Sequence, residues 1–453
     1  MEVVLVSTYD LGRQPFGLAS PAAFLRRAGH AVRSVDLTRA TLDAADVRSA
    51  GVIAFYLPMH TATRLALPVI DRVRAINPSA HLCAYGLYAP LNAGVLREHG
   101  IQTVLGPEFE PDLLKLCSLG SSGLQAGDPR LQAGDPDARA IPRVTFIQPD
   151  RSDLPPLTRY ASLQIGDERR VTGYTEATRG CKHRCRHCPI VPVYDGRFRA
   201  VDADVVLADI RAQVAAGAQH ITFGDPDFFN GPTHAVRIVE ALSREFPALS
   251  YDVTIKVEHL KDHGALLPRL RDTGCAFVTS AVESFDDEVL AKLEKGHTHA
   301  DFVAVVEACR AVGLPLSPTF VAFTPWTTIE SYAGMLREID RLDLVPAVAP
   351  IQYAIRLLIP QGSRMLELED VRQVVAAFSP VSLAHTWHHP DPRVDALQGA
   401  LERLVGSRIH APREDMFARV WEIVHSTTGA LEARGEPLLA RAAVPYLNEP
   451  WYC

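Results

Sequence analysis

The sequence has no long apolar run, few cysteines and no excess of basic residues, and each absence excludes a class of protein. No stretch approaches the ~20 consecutive apolar residues that cross a bilayer, so no membrane span is predicted. The start carries Glu2 where a signal peptide needs a basic region. Eight cysteines in 453 residues are too few for a secreted disulfide framework. The net charge of −7 argues against a nucleic-acid-coating surface. We therefore expect a cytoplasmic globular protein with no nucleic-acid partner.

Strand-like and helical patterns alternate along two stretches, which predicts two α/β domains. In residues 1–118 the runs "EVVLVST", "GVIAFYL", "HLCAYG" and "TVLG" read as buried parallel strands, which predicts a doubly wound domain. Residues 166–365 repeat the alternation six times, ending with the strand candidate "APIQYAIRL", and predict a partial (β/α)6 barrel. Between them, residues 119–145 are typical of a flexible linker, with Leu-Gln-Ala-Gly-Asp-Pro twice. Residues 366–453 are predicted to be mostly helical.

Three cysteines crowd one short segment, "TRGCKHRCRHCPIVP", at the predicted mouth of the barrel. Cys181, Cys185 and Cys188 are spaced four and three positions apart. Zinc would need a fourth ligand, for which His183 or His187 lies close by. An iron–sulfur cluster also accepts three cysteines and leaves one iron open for another ligand. Zinc sites usually add a distant second cysteine pair, and the sequence has none, so the spacing favours the cluster.

The Cys-x3-Cys-x2-Cys motif after "TRG" resembles the defining motif of the radical S-adenosylmethionine (radical SAM) superfamily. The resemblance implies that the three thiolates hold a [4Fe–4S] cluster and that SAM chelates the fourth iron. It also implies that the reduced cluster cleaves SAM to methionine and a 5′-deoxyadenosyl radical, which takes hydrogen from a substrate. One position departs from the motif, because the residue before the last cysteine is usually aromatic and here is His187. An imidazole can still stack on adenine.

Further segments resemble the SAM-binding parts of that superfamily. "FGDPDFFNG" is similar to the segment that recognises the SAM amino group, which implies Asp225 and Asp227. "SAVESFDDEVLAKLEKGHT" is similar to the strand-four signature that meets the ribose and methionyl parts, which implies Glu283 and Ser284. Each carboxylate alone could instead be a helix N-cap, but their coincidence with strand ends favours the cofactor. The other candidates are Lys256 in "VTIKVEHL" and Arg356 and Gln361 in "RLLIPQGSRM".

In residues 1–118, the segments "LASPAAFLRRAGHAVRSVDL", "AYGLYAP" and "VLGPEFEPDLLKL" resemble the cobalamin-binding-like domain that precedes many radical SAM cores. Residues 146–165, with "DLPPLTRYA", resemble the bridge between the two modules. The Asp-x-His-x-x-Gly motif through which some of these domains ligate cobalt is absent, since the equivalent loop reads "STYDLGRQPFG". Two alternatives stay open. Cobalamin binds without a protein histidine, or the domain is a scaffold without cobalamin.

The chain stops at Cys453 in "PYLNEPWYC". This end resembles a radical SAM family whose tails read Cys, then Cys or selenocysteine, then Ala-Glu-Pro. The resemblance implies a selenoprotein tail, in which a selenocysteine codon follows Cys453. Cys453 would then be a candidate catalytic residue, as a hydrogen-atom donor or a soft ligand. The alternative is an ordinary frayed terminus.

These patterns predict a radical SAM enzyme with a [4Fe–4S] cluster and SAM, acting on an unidentified small-molecule or peptide substrate. The resemblance implies an electron donor such as flavodoxin or ferredoxin as partner. With cobalamin, the outcome would be methyl transfer. The rival function is a non-catalytic zinc- or cobalamin-binding sensor, which would not cleave SAM.

Overall fold

The computed structural model describes residues 1–119, 143–408, 411–428 and 445–448. Most of the predicted linker, 119–145, lies outside the described residues, and so does the predicted tail with Cys453. The strands are β1 (Glu2–Ser7), β2 (Ala31–Asp36), β3 (Val52–Tyr56), β4 (His81–Tyr85), β5 (Thr103–Val104), β6 (Ser162–Ile165), β7 (Glu168–Thr175), β8 (Thr178–Gly180), β9 (Phe198–Ala200), β10 (His220–Phe223), β11 (Ser250–Thr254), β12 (Cys275–Glu283), β13 (Leu316–Phe320), β14 (Val375–Ser379), β15 (Ala384–Trp387) and β16 (Tyr446–Leu447).

Helices connect most of these strands. They are α1 (Phe16–Arg27), α2 (Ala44–Ser49), α3 (His60–Ile76), α4 (Tyr88–Leu91), α5 (Ala93–Glu98), α6 (Glu110–Leu119), α7 (Val191–Tyr194), α8 (Ala203–Ala215), α9 (Pro232–Glu245), α10 (Val257–Asp262), α11 (Leu267–Asp272), α12 (Asp287–Lys292), α13 (His299–Val312), α14 (Ile329–Arg341), α15 (Glu369–Arg372), α16 (Pro392–Ser407) and α17 (Arg413–Thr428). No helix among the described residues is both long and apolar enough to cross a membrane.

The first sheet is parallel and has the strand order β2-β1-β3-β4-β5. Strand β1, which lies between β2 and β3, is apolar on both faces because each face is buried. Val3 and Leu5 pack into one hydrophobic core, and Val4 and Val6 pack into another on the opposite face. Two covered faces and this strand order make a doubly wound domain, as the sequence predicts.

The second sheet has the order β13-β12-β11-β10-β7-β6-β16. The five strands from β7 to β13 are parallel, while β6 and β16 add an antiparallel edge. This curled sheet, with helices on its outside, confirms the predicted partial-barrel class.

The sixth strand expected at "APIQYAIRL" is not a strand. Pro350–Tyr353 is a 3-10 turn, and only Arg356 forms a single parallel bridge, to Phe323. Proline has no N–H to donate to a ladder. Instead, the Gln352 side chain accepts a hydrogen bond from the Phe320 backbone N–H at 2.7 Å, so an amide group covers this edge of β13.

The region after residue 366 is helical in α16 and α17, as predicted, and also contains a β14–β15 hairpin that the sequence did not indicate. The proline-marked break before α16 has a local cause. The Asp391 side chain caps the helix by accepting from the Arg393 N–H at 2.9 Å, and Pro392 occupies the first turn, where no N–H is needed.

Candidate functional site

The cysteine motif lies on a loop closed by a small antiparallel hairpin. Strand β8 pairs with β9, and the loop between them carries all three cysteines and the short helix α7. Gly180, directly before Cys181, has a φ of +76°. A Cβ at Gly180 would lie 2.4 Å from the Tyr194 ring and 2.5 Å from the Arg197 carbonyl oxygen. The loop therefore leaves β8 through a turn that only glycine fits.

The three loop cysteines are free thiols in a half-buried to buried setting. Burial raises the pKa of Cys181 to about 11 and that of Cys188 to about 12. Among the described residues, one group of three His, Cys, Asp or Glu side chains has its ligand atoms within 4.8 Å of one another, and it contains no cysteine.

Glu283 faces the loop at the end of β12. The register between β12 and β13 shifts between Ala281 and Glu283, and Glu283 has a φ of +71°. Its carboxylate accepts from the Lys295 ammonium at 3.2 Å and lies 3.1 Å from the His187 Nε2. Burial raises the pKa of Glu283, but Lys295 and His187 outweigh burial and bring it to about 2. The structure thus brings two predicted residues, Glu283 and His187, into contact, and Glu283 forms a buried ion pair with Lys295.

Asp225 supports the start of the cysteine loop. Its two carboxylate oxygens accept from the Ala177 backbone N–H at 2.9 Å and from the Thr178 hydroxyl at 2.6 Å. Burial raises the pKa of Asp225 to about 7, although these two hydrogen bonds lower it. Ser284, the neighbour of Glu283, accepts from the Asp286 backbone N–H at 3.0 Å ahead of α12.

Asp227 and Lys256 meet in a buried chain of side chains beneath the loop. The Asp227 carboxylate lies 2.7 Å from His259 Nδ1. The His259 Nε2 lies 3.1 Å from His183 Nε2, and the Lys256 ammonium contacts His183 Nδ1 at 3.2 Å and Glu258 at 2.7 Å. These side-chain contacts join the end of β10 and the start of α10 to the cysteine loop.

His183, Asp227 and His259 have the spacing of a metal site, with their ligand atoms within 4.8 Å of one another. Burial, followed by Lys256 and His259, lowers the pKa of His183 to about 3, so the ring is neutral near pH 7. A neutral imidazole can accept a hydrogen bond from the Lys256 ammonium at Nδ1.

The two weaker candidates, Arg356 and Gln361, lie outside this group of side chains. The Arg356 guanidinium donates to Asp395 at 2.8 Å and to the Trp387 carbonyl oxygen at 2.6 Å, and it stacks 3.6 Å from the Trp387 ring centroid. These contacts tie Arg356 to the C-terminal region, and Gln361 is exposed.

Lys295 and His297 were missed as individual residues, although both lie in the quoted segment ending "LEKGHT". Lys295 is 3 % exposed and His297 is 6 % exposed. Both ring nitrogens of His297 are buried without a hydrogen-bond partner. Burial, then Lys295 and Lys256, lowers the pKa of His297 to about 4. The sequence did carry a signal for these two residues, because a charged residue and a histidine close the segment that begins at the end of the strand.

A cavity of about 860 Å³ opens inside the barrel below these residues. It has Asp225 at one end, and two cations, Arg13 and Arg413, line it. Hydroxyl groups from successive strands complete its wall: Thr222, Thr254, Thr279, Ser317 and Thr319. This size is within the ~300–1,000 Å³ of small-molecule sites.

Comparison with protein families identifies one domain. Residues 175–337, which include the cysteine loop, Asp225, Asp227, Lys256 and Glu283, match the family described as "Radical SAM superfamily". This superfamily uses a [4Fe–4S] cluster and SAM.

Among curated proteins, the chain is 24% identical over 332 residues to the hopanoid C-3 methylase of Methylococcus capsulatus, covering 69% of this chain and 62% of that protein. It is 26% identical over 198 residues to a tRNA-2-methylthio-N(6)-dimethylallyladenosine synthase of Geobacter sulfurreducens, covering 40% and 43%. The chain thus spans less than two thirds of either relative.

Two solved structures share the fold over most of the chain. The cobalamin-dependent S-adenosylmethionine radical enzyme OxsB, with aqua-cobalamin and S-adenosylmethionine bound, matches with a TM-score of 0.73 and 14% identity, covering 94% of this chain and 72% of that one. The radical S-adenosylmethionine methyltransferase TsrM of Kitasatospora setae, with tryptophan and a SAM analogue bound, matches with a TM-score of 0.64 and 16% identity, covering 88% of each chain. The chain therefore carries a radical SAM domain, preceded by a domain with the cobalamin-binding-like fold.

Proposed function

We propose that this chain is a radical SAM enzyme that holds a [4Fe–4S] cluster on Cys181, Cys185 and Cys188 and binds SAM beside Glu283. The observation that carries the proposal is the loop of three unpaired thiols facing the buried Glu283–Lys295 pair at the barrel mouth. When bound, the cluster supplies the electron for reductive cleavage of SAM, which starts radical chemistry on a substrate.

The protein's own part is to bind, orient and exclude water. Glu283 is ionised at neutral pH and stays so at much lower pH, so it can accept hydrogen bonds from the SAM ribose or amino group. His297 is buried and neutral, so its ring can bond a ligand without bringing a charge into the site. Asp227 and Lys256 are held in place by His259 and His183, and they complete the proposed cofactor wall with His187 and Ser284.

Asp225 takes a different proposed role from the one its motif implies. Both carboxylate oxygens are engaged by Ala177 and Thr178, so its first task is to support the backbone that leads into Cys181. Contact with SAM would have to use the remaining lone pairs of these oxygens.

The substrate is proposed to enter the 860 Å³ cavity, because this space continues from Asp225 into the barrel. Its hydroxyl-rich wall suits a polar small molecule or the side chain of a peptide. An electron donor such as flavodoxin or ferredoxin is proposed as partner. Arg356 is proposed to shape the C-terminal wall through Asp395.

The test is anaerobic reconstitution of the wild type and of Cys181→Ala, Cys185→Ala and Cys188→Ala, with iron, sulfide and zinc measured. We expect about four irons and four sulfides in the wild type, with a brown absorption band, and loss of both in each variant. A wild type that takes up zinc and no iron would instead establish the sensor function.

Cobalamin-dependent methyl transfer is the second candidate. The fold likeness to TsrM and OxsB favours it, and so does the likeness to a hopanoid methylase. It requires a corrin between the first domain and the barrel, in contact with residues of both.

A further inference from the structure

One buried arginine joins the start of the cysteine loop to the first domain. Arg179, two residues before Cys181, donates through both terminal nitrogens to the Glu110 carboxylate, at 2.7 and 2.9 Å. Its Nε donates to Glu176 at 2.8 Å, and Glu108 lies 3.8 Å away. Arg179 is 7 % exposed and Glu110 is fully buried. Because the guanidinium donates two hydrogen bonds to one carboxylate, this bidentate pair fixes the orientation of the Arg179 side chain as well as its distance from Glu110.

Aromatic rings from both domains enclose this arginine. The Arg179 guanidinium lies 5.3 Å from the ring centroid of Phe109 and 5.6 Å from that of Phe16, both in the first domain. It lies 4.8 Å from the ring of Phe146, in the segment between the domains. The rings exclude water, so the contacts of the charged groups are screened less than surface ion pairs.

The far end of the loop has its own attachment to the same domain. The Tyr194 hydroxyl, in α7, donates to Glu108 at 2.8 Å. Glu110 is itself held by the Ser20 hydroxyl of α1, which donates to it at 2.6 Å. The first-domain carboxylates of Glu108 and Glu110 thus contact both ends of the cysteine loop. Both lie near Arg179, which precedes the three cysteines, and Glu108 also accepts from Tyr194, which follows them.

Two cavities adjoin this contact between the domains. One encloses about 200 Å³, and its walls include Tyr56, Phe109, Arg179 and Tyr194. It shares Arg13, Gly224 and Pro226 with the 860 Å³ cavity.

We propose that the first domain of this chain is a clamp for the cysteine loop. Glu110 and Glu108 are positioning residues, which act on the cluster ligands through Arg179 and Tyr194. The proposal rests on the proposed function, because it takes the three cysteines as the cluster site.

The test compares Glu110→Gln and Tyr194→Phe with a matched control, Glu245→Gln, whose carboxylate pairs with Arg211 on the surface. Each protein is reconstituted anaerobically, and the rate of iron loss to a chelator and the electron paramagnetic resonance spectrum of the reduced cluster are measured. We expect Glu110→Gln to lose iron about tenfold faster or more, since a hydrogen bond to a charged group is lost. Tyr194→Phe should lose iron faster by a smaller factor, and both spectra should change while the control matches the wild type.

Wild-type rates and spectra in both Glu110→Gln and Tyr194→Phe would overturn the clamp, and if Glu110→Gln does not fold, the result for Tyr194→Phe decides. A wild type that takes up no iron is a different failure, because it contradicts the proposed function.

Discussion

At the scale of single residues, Glu283 is the side chain on which the proposed SAM site depends most. It is buried and strained, and it is held ionised by Lys295 and His187. Glu283→Gln keeps the shape but removes the charge, so we expect SAM to bind about tenfold more weakly or worse. The iron content should not change, because no cysteine is altered.

Equilibrium binding of SAM to the reconstituted proteins measures this effect, with Glu245→Gln as the surface control. Affinity equal to the wild type in Glu283→Gln would mean that SAM binds elsewhere.

A second prediction at this scale concerns Asp10, in the first domain. Burial raises the pKa of Asp10 to about 7, although Arg13 opposes the shift. The folded state therefore holds a proton that the unfolded state releases near pH 4, so the contribution of Asp10 to stability falls as pH rises from about 4 to about 7 and is then constant. Asp10→Asn has no such proton.

Urea unfolding at about pH 5.5 and about pH 7.5 tests this prediction. The loss of stability between the two pH values should be smaller in Asp10→Asn than in the wild type. An identical change in both proteins would show that Asp10 does not carry a raised pKa.

At the scale of elements, the turn from β8 into the cysteine loop is the most sensitive point. Gly180→Ala would place a methyl group against the Tyr194 ring in a left-handed backbone conformation, at a cost of about 1–3 kcal/mol. We expect this variant to bind less iron than the wild type after reconstitution.

Gly94→Ala is the matched control, because Gly94 lies in helix α5 and a Cβ there meets nothing within 4 Å. If Gly180→Ala retains iron as well as Gly94→Ala does, the turn does not constrain the loop.

The sequence predicted the elements whose pattern is local and strong. Strands β1 and β3 were recognisable because their apolar runs are buried on both faces. Strand β2 was missed because its first half, "AVR", is exposed or half-buried at a sheet edge and lacks an apolar run. The expected sixth strand failed because Pro350 and the Gln352 side chain close the edge of β13.

The sequence could predict the site residues that lie within a recognisable motif. The cysteines and Glu283 stand in recognisable segments, so their residue numbers could be proposed from the sequence. Lys295 could not be assigned, because its approach to Glu283 depends on the path of the loop after α12. The Arg179–Glu110 pair joins residues 69 positions apart, and no local pattern indicates such a contact.

At the scale of the whole molecule, the two domains meet where the proposed chemistry takes place. The ends of β10 and β12 supply Asp225 and Glu283, the hairpin β8–β9 supplies the cysteine loop, and the first domain holds that loop through Glu108 and Glu110. The fold likeness to OxsB and TsrM extends over both domains. Likeness of fold does not carry likeness of cofactor.

The central claim is that the three loop cysteines hold the cluster that cleaves SAM. The most direct measurement incubates the reconstituted protein with SAM and dithionite under anaerobic conditions and quantifies methionine and 5′-deoxyadenosine. We expect both products from the wild type and neither from the triple variant Cys181→Ala, Cys185→Ala and Cys188→Ala. Reductive cleavage by the triple variant at the wild-type rate, or none by a wild type loaded with iron and sulfide, would contradict the account.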